Sequence, residues 1–203
     1  MRGLFVTFEG IDRSGKTTQA EKLRLALGDD AVAVREPGGT EAGERIRGLL
    51  KDPELELGPE AEALLFSAAR AELVARVIRP ALADGKVVIS DRFLDSSLAY
   101  QGFARGLGVE EVERINRFAT GGLVPDLTVL LWIEPAAAAA RGGEADRFEG
   151  EGDSLQRAVF AAYEELAAAD PGRWRRIDAD RPPEHVHADV VAEVEAARSG
   201  AHA

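Results

Sequence analysis

The chain has 203 residues, of which 45% are hydrophobic and 30% charged, values that suit one globular domain and exclude an intrinsically disordered chain. Its net charge of −11 argues against broad binding to nucleic acid or to a membrane, so any phosphate must be bound by individually placed cations. The chain has no cysteine, and no apolar run approaches the ~20 residues that cross a bilayer. Because "MRGLFVTFEGID" lacks the pattern of a signal peptide, we expect a cytoplasmic protein.

Apolar segments typical of strands alternate along the chain with segments of helical spacing. The predicted strands are 4–8, 31–34, 87–90, 127–133 and 174–178. The predicted helices are 17–27, 41–50, 60–82, 109–118, 154–168 and 183–197. This alternation predicts one α/β domain over residues 1–203, with a parallel sheet covered by helices on both faces. Ligands of such sheets bind beyond the carboxyl ends of the strands.

The first predicted strand runs directly into "GIDRSGKT", which matches the phosphate-binding pattern G-x-x-x-x-G-K-[ST] and leads into a predicted helix. Lys16 is expected to neutralise the β- and γ-phosphates of ATP, and Thr17 to bind Mg²⁺. Arg13 is an additional cation in the loop, either exposed to solvent or aimed at the phosphates. The predicted ATP-binding residues are Gly10, Ile11, Asp12, Arg13, Ser14, Gly15, Lys16, Thr17 and Thr18.

The segment "VVISD" is a mostly apolar run followed by Asp91, the pattern of a strand that delivers a carboxylate to a Mg²⁺ site. Arg92 adds a cation at the same edge of the sheet. After the second strand, "REPGGT" places Glu36 at this edge, or forms only a turn. The histidines all fall in the last nineteen residues, outside every motif. A histidine base is therefore not expected, which suits a phosphate acceptor because it is already ionised.

Two further segments have a functional and a structural interpretation. Phe66 and Arg70 lie four residues apart on one helical face, either as a ring and guanidinium that bind a base or as part of a core stripe with Arg70 at the surface. The alanines 136–140 lead into a glycine-rich segment that predicts a mobile loop at about 141–153, either a linker or a lid. Its arginines, Arg141 and Arg147, either contact a nucleotide or are incidental.

The motifs, taken together and in this order, resemble those of bacterial thymidylate kinases. They are "FVTFEGIDRSGKTTQ", "REPGGT", "LLFSAARAELV", "SDRFLDSSLAYQG", "GGLVPDLTVLLWIE" and "DRFE". The resemblance implies the nucleoside monophosphate kinase fold, with a five-stranded parallel sheet, and a homodimer formed through a helical face. It also implies transfer of the γ-phosphoryl group of ATP with Mg²⁺ to thymidine 5′-monophosphate (dTMP).

The resemblance further implies roles for single residues. Thymine would stack on Phe66 and accept a hydrogen bond from Arg70, Asp12 would lie near the sugar, Tyr100 would fit a deoxyribose, and Arg92 would contact the monophosphate. Other residues implied to line the acceptor site are Glu36, Arg45, Ser96, Ser97 and Gln101.

On the donor side, the resemblance implies that Arg141 packs against adenine and that Arg147, Phe148 and Glu149 belong to the lid. Bacterial relatives often have glycine or alanine in place of Arg13 and an additional arginine in the lid. Here "RGGEAD" lacks that arginine, so Arg13 is expected to stabilise the transition state. The expected catalytic residues are Asp12, Arg13, Lys16, Arg92 and Arg147.

Other functions remain open from the sequence. The nearest are a kinase for another monophosphate or for a deoxynucleoside. A regulatory P-loop ATPase or switch is a further possibility, although the guanine signature N-K-x-D is missing. A silent nucleotide-binding protein is disfavoured because Lys16, Thr17 and Asp91 are all present.

Overall fold

A computed structural model describes residues 2–142 and 152–200. Its five strands form one parallel sheet in the order β2-β3-β1-β4-β5. The strands are β1 (Phe5–Glu9), β2 (Ala31–Arg35), β3 (Val87–Asp91), β4 (Leu127–Trp132) and β5 (Trp174–Asp178). The predicted α/β class and five-stranded parallel sheet are confirmed.

Helices connect successive strands. They are α1 (Lys16–Leu27), α2 (Glu41–Lys51), α3 (Pro59–Leu73), α4 (Arg79–Ala83), α5 (Leu94–Ser97), α6 (Val109–Thr120), α7 (Pro135–Ala140), α8 (Asp153–Ala169) and α9 (Pro183–Gly200). A π-helical segment, Val74–Ile78, joins α3 to α4. The predicted helix 60–82 is therefore one continuous helical stretch whose middle part is π-helical. A second π-helical segment, Leu98–Ala104, extends α5.

Two helical regions were not predicted from the sequence. The region 94–104 has no apolar stripe of helical period because much of its buried surface is polar, including Asp95, Ser96, Ser97 and Gln101. The alanines 136–140 belong to α7, which begins at Pro135. Alanine has the highest helix propensity of all residues, so these five residues favour a helix.

The central strand β1 is buried along its whole length and pairs with β3 on one side and β4 on the other. Val6 and Phe8 face one hydrophobic core, whereas Phe5 faces the other and contacts the edge of Phe93 at 4.9 Å between ring centroids. The loop that follows β1 therefore leaves a rigid strand at a fixed place. No helix within the described ranges is long and apolar enough to cross a membrane.

Candidate active site

A cavity of about 680 Å³ opens at the carboxyl ends of β1, β2 and β3. It brings together most of the residues predicted to bind donor and acceptor. Those that line it are Asp12, Arg13, Lys16, Thr17, Glu36, Phe66, Arg70, Asp91, Arg92, Ser96, Ser97, Tyr100 and Gln101.

The predicted phosphate loop connects β1 to α1 and starts with a residue that must be glycine. Gly10 has a φ of 141°, and a Cβ placed there would lie 2.7 Å from the carbonyl oxygen of Leu131. Ile11 is buried in the core, so it can serve a ligand only through its backbone. Gly15, with a φ of 99°, precedes the first residue of α1.

Lys16 folds back over this loop. Its Nζ donates hydrogen bonds to the carbonyl oxygens of Gly10 (3.0 Å) and Ile11 (2.7 Å) and to Ser14 Oγ (3.3 Å). Burial, reinforced by the charge of Arg92, lowers the pKa of Lys16 to about 8. The ammonium group is thus held at the start of α1, where a helix N-terminus favours an anion.

Thr17 and Asp91, the two residues predicted to bind Mg²⁺, are in direct contact. Thr17 Oγ1 donates a hydrogen bond of 2.5 Å to Asp91 Oδ2, which brings a hydroxyl from α1 and a carboxylate from the end of β3 together. Mg²⁺ prefers oxygen ligands and takes few of them from protein, completing its shell with water and substrate phosphates. This pair of oxygen ligands fits such an ion.

Arg92 occupies the middle of the cavity in a left-handed backbone conformation, with a φ of 70°. Its guanidinium pairs with Asp12, donates to Ser96 Oγ at 3.1 Å and lies 5.2 Å from the centroid of the Tyr100 ring. Burial alone would raise the pKa of Asp12, but Arg92 and Lys16 outweigh burial and lower it. The site therefore holds an ionised Asp12 beside two cations.

Arg70 is not at the surface: its side chain is 1% exposed and lines the cavity. Its Nε and Nη2 donate to Glu36 Oε2 at 2.7 and 2.6 Å, Nη2 also donates to the Phe93 carbonyl, and Nη1 donates to Ser97 and Asn116. Asn116 in α6 is fixed in turn because its Nδ2 donates to the Val112 carbonyl. Arg70 is thus held rigidly at the cavity wall.

Phe66 lines the same cavity, whereas Leu73 in the same helix packs in the core. The helix α3 therefore contributes both a core stripe and a binding face. Sequence spacing alone could not separate these two interpretations.

Helix α2 contributes different residues from the one predicted. Arg45 is 80% exposed, pairs with Glu41 and does not line the cavity. Arg47 and Lys51 line it instead, and Arg47 donates to the Pro37 carbonyl at 2.8 Å. Their spacing of four residues, which places both on one helical face, was the available signal.

Arg13 and Arg141 meet at the outer rim of the phosphate loop. Arg13 has a φ of 63° and lines the cavity, with its Nη1 3.5 Å from the Ala139 carbonyl. Arg141 donates to the carbonyl oxygens of Arg13 (3.1 Å) and Ala179 (2.5 Å), so it ties the loop to the segment after β5. Thr18 is exposed and outside the cavity lining.

The predicted lid is described only at its two ends. Arg141 and Gly142 follow α7, and α8 begins at Asp153. Arg147, Phe148 and Glu149 lie outside the described residues.

Comparison with known proteins agrees with this site. The family model described as Thymidylate kinase matches residues 8–190. A thymidylate kinase of Pelotomaculum thermopropionicum is 50% identical, with 96% of this chain and 94% of that protein covered. A thymidylate kinase of Desulforudis audaxviator is 51% identical over 89% of this chain and 85% of that protein. A third, from Deinococcus radiodurans, is 47% identical over 95% and 97%. The chain belongs to the thymidylate kinase family.

Membership in the thymidylate kinase family confirms the resemblance stated from the motifs, and with it an enzyme of the kinase class. The parallel sheet with its P-loop and flanking helices is the nucleoside monophosphate kinase fold expected for this family.

Glu9 is a further residue beside the site that the sequence analysis missed. Glu9, at the end of β1, is completely buried, and its carboxylate accepts hydrogen bonds from the Phe93 backbone N–H (2.8 Å), Ser96 Oγ (2.6 Å) and Tyr163 Oη (2.8 Å). Burial, assisted by the charge of Asp95, raises the pKa of Glu9 from 4.5 to about 7. A glutamate closing an apolar strand was the only signal in the sequence.

Replacing Glu9 by glutamine is expected to change how the free energy of unfolding depends on pH. Because folding raises the pKa of Glu9, its contribution to stability falls as the pH rises from about 5 to about 7. The E9Q variant lacks this titration, so its unfolding free energy relative to wild type should rise by roughly 1 kcal/mol per pH unit across that window. Urea unfolding of both proteins over this pH range measures the difference.

The matched control is Glu21→Gln, at a surface carboxylate in α1 that pairs with Arg24. It should give a curve nearly parallel to that of the wild type. Parallel curves for E9Q as well would show that Glu9 does not titrate in this range.

Proposed function

We propose that the protein transfers the γ-phosphoryl group of ATP, with Mg²⁺, to dTMP, giving thymidine diphosphate for dTTP synthesis in the cytoplasm. One observation carries the proposal: a phosphate loop with its metal-binding pair and a base-binding wall open into one cavity. Membership in the thymidylate kinase family supports this choice of acceptor.

The donor half is formed by the phosphate loop. The N–H groups at the start of α1 and the Lys16 ammonium would hold the β- and γ-phosphates, exchanging loop acceptors for phosphate oxygens. Thr17 and Asp91 would hold Mg²⁺, which would offset the charge of the ATP phosphates. Arg141 would pack against adenine, since it lies beside the loop and the segment after β5.

The acceptor half is formed by α3, the turn after β3 and the helical segment 94–104. Thymine would stack on Phe66, with its 4-carbonyl facing Arg70 and its N3–H facing Gln101. Tyr100 and Asp12 would contact the sugar, and Arg92 the phosphate. Ser96, Ser97, Glu36 and Arg47 complete this wall of the cavity.

In the transfer step, an oxygen of the dTMP phosphate attacks the γ-phosphorus while the bond from that phosphorus to the β,γ-bridging oxygen breaks. The electron pair of this bond leaves with ADP. The attacking oxygen is already ionised, so no general base is needed. Arg13, Arg92 and Arg147 are proposed to neutralise the charge that develops between the two nucleotides.

A panel of acceptors tests the substrate. With ATP and Mg²⁺, the rate of ADP release should be highest with dTMP and lower with dCMP, dAMP and dGMP. Cytosine and adenine carry an amino group where thymine offers a carbonyl to the donor of Arg70, and a purine is larger than the thymine ring that would stack on Phe66. A coupled spectrophotometric assay measures this rate.

Two results would contradict the proposal. Phosphorylation of thymidine but not of dTMP would indicate a nucleoside kinase. ADP release at the same rate with and without any acceptor would favour a regulatory ATPase.

Arg13→Gly tests the catalytic arginine of the loop. We expect kcat to fall by about 10³-fold, because an arginine acting in cis on the transferring phosphoryl group contributes on this scale. KM for dTMP should stay within about threefold, since uniform binding is not removed. Stability should not fall, because glycine adopts the positive φ of this position without strain.

The control is Arg24→Ala, which removes an arginine from α1 that pairs with Glu21 at the surface. Its kcat should equal that of the wild type. An unchanged kcat in R13G would show that Arg13 does not contribute to catalysis.

We also propose a homodimer formed by the layer of α2, α3 and α6. These helices pack in sequence, α2 on α3 and α3 on α6, and each carries an exposed apolar side chain: Leu49, Leu64 and Phe118, of which Phe118 is 91% exposed. Large apolar side chains exposed on neighbouring helices are typical of subunit interfaces. A second copy of the chain is the proposed occupant.

Phe118→Glu should convert the dimer to a monomer, because a charge at this position would be buried in the interface. Light scattering coupled to size-exclusion chromatography gives the mass. Leu25→Glu, at a residue of α1 that is 63% exposed, is the control and should leave the mass unchanged. A monomeric wild type would contradict the proposal.

A further inference from the structure

Glu62 lies in α3 behind the base-binding wall and does not line the cavity. Its side chain is 1% exposed. Glu62 Oε1 accepts a hydrogen bond of 2.9 Å from Gln101 Nε2, and the carboxylate also accepts from Arg105 Nε and Nη2, both at 3.2 Å. A buried carboxylate paired with an arginine thus contacts an amide that lines the cavity.

This contact determines which way the amide of Gln101 is turned. A carboxylate paired with arginine offers only acceptors, so the group that Gln101 presents to it must be the NH₂. The carbonyl oxygen Oε1 is then the polar atom left for the cavity side. If the amide turned over, two acceptor oxygens would face each other in a buried site, which is strongly unfavourable.

We propose that Glu62 is a positioning residue that makes the site specific for bases with a hydrogen-bond donor at ring position 3. The inference rests on the proposed function, in which Gln101 faces this edge of thymine. Thymine has N3–H there and donates to Gln101 Oε1. Cytosine has an unprotonated N3, so its lone pair faces the same oxygen and the base is rejected.

The geometry of Arg70 acts in the same direction from the neighbouring position. Its guanidinium offers only donors, and it is fixed by Glu36 and Asn116. The N–H groups of Arg70 all have acceptors in the protein, so a carbonyl at position 4 of the base would replace one of them, such as Ser97 Oγ, whereas Gln101 would select a donor at position 3. The two contributions can be separated because Glu62 contacts Gln101, whereas the carboxylate that holds Arg70 is Glu36.

The test replaces Glu62 by glutamine, which can donate as well as accept and so permits both orientations of the Gln101 amide. KM for dTMP and the competitive inhibition constant of dCMP are measured in wild type and E62Q. The ratio of the dCMP constant to the dTMP KM should fall by about tenfold or more, the scale for one buried polar mismatch. We expect kcat with dTMP and KM for ATP to stay within about threefold.

Two variants serve as controls. Glu60→Gln makes the same substitution two residues earlier in α3, at an exposed position, and should leave the ratio unchanged. Glu62→Asp keeps an acceptor-only partner and should restore most of the preference for dTMP. A loss of binding for all nucleotides alike in E62Q, with ATP included, would indicate a merely structural role and overturn the inference.

The Q101L variant separates failure of the inference from failure of its premise. If wild type does not phosphorylate dTMP, the proposed function itself fails. If Q101L loses the preference for dTMP while E62Q keeps it, Gln101 binds the base but Glu62 does not orient it, and only the inference fails. If Q101L keeps the preference, Gln101 does not contact this edge of the base and the inference fails with its premise.

Discussion

The buried carboxylate of Glu9 joins the two halves of the active site. Glu9 is the last residue of the central strand, directly before the phosphate loop, and it accepts hydrogen bonds from Phe93 in the turn that follows β3 and from Ser96 in α5. The turn begins with Arg92, so the residue proposed to bind the acceptor phosphate is fixed relative to the loop proposed to bind ATP. Tyr163 in α8 bonds the same carboxylate, which extends this constraint to the helix beyond the lid.

The contacts of Glu9 also help to hold Arg92 in a costly backbone conformation. Arg13 and Arg92 both have positive φ values, which cost a residue with a side chain on the order of 1–3 kcal/mol each. The cost at Arg92 is offset by bonds on both sides: its N–H donates to the Phe8 carbonyl, and the next N–H donates to Glu9. Because the protein has a net charge of −11, each cation at the site must be positioned individually. The positive φ values of Arg13 and Arg92 contribute to that positioning.

The sheet and most of the cavity wall could be predicted from the sequence because continuous apolar runs and the loop motif have clear local signatures. What could not be predicted is the buried polar layer behind the site. Glu9, Glu62 and Asn116 have no periodic pattern, since each is buried against partners that are distant in the sequence. The burial of polar residues is also the reason that the helical segment 94–104 could not be predicted from the sequence. On α2, the resemblance pointed to Arg45, but the direction of the helical face places Arg47 in the cavity.

The residues behind the wall share one physical property. Gln101 faces a carboxylate, Asn116 faces a helix carbonyl, and Arg70 faces a carboxylate and an amide oxygen, so each cavity-side or supporting group meets a partner that only accepts. An amide alone has two orientations of similar energy, and a guanidinium alone has many. An acceptor-only partner leaves one arrangement, because every alternative buries two acceptors against each other or leaves a donor unpaired. The proposed selectivity for the base would therefore depend on the layer behind the contact residues as much as on the contacts themselves.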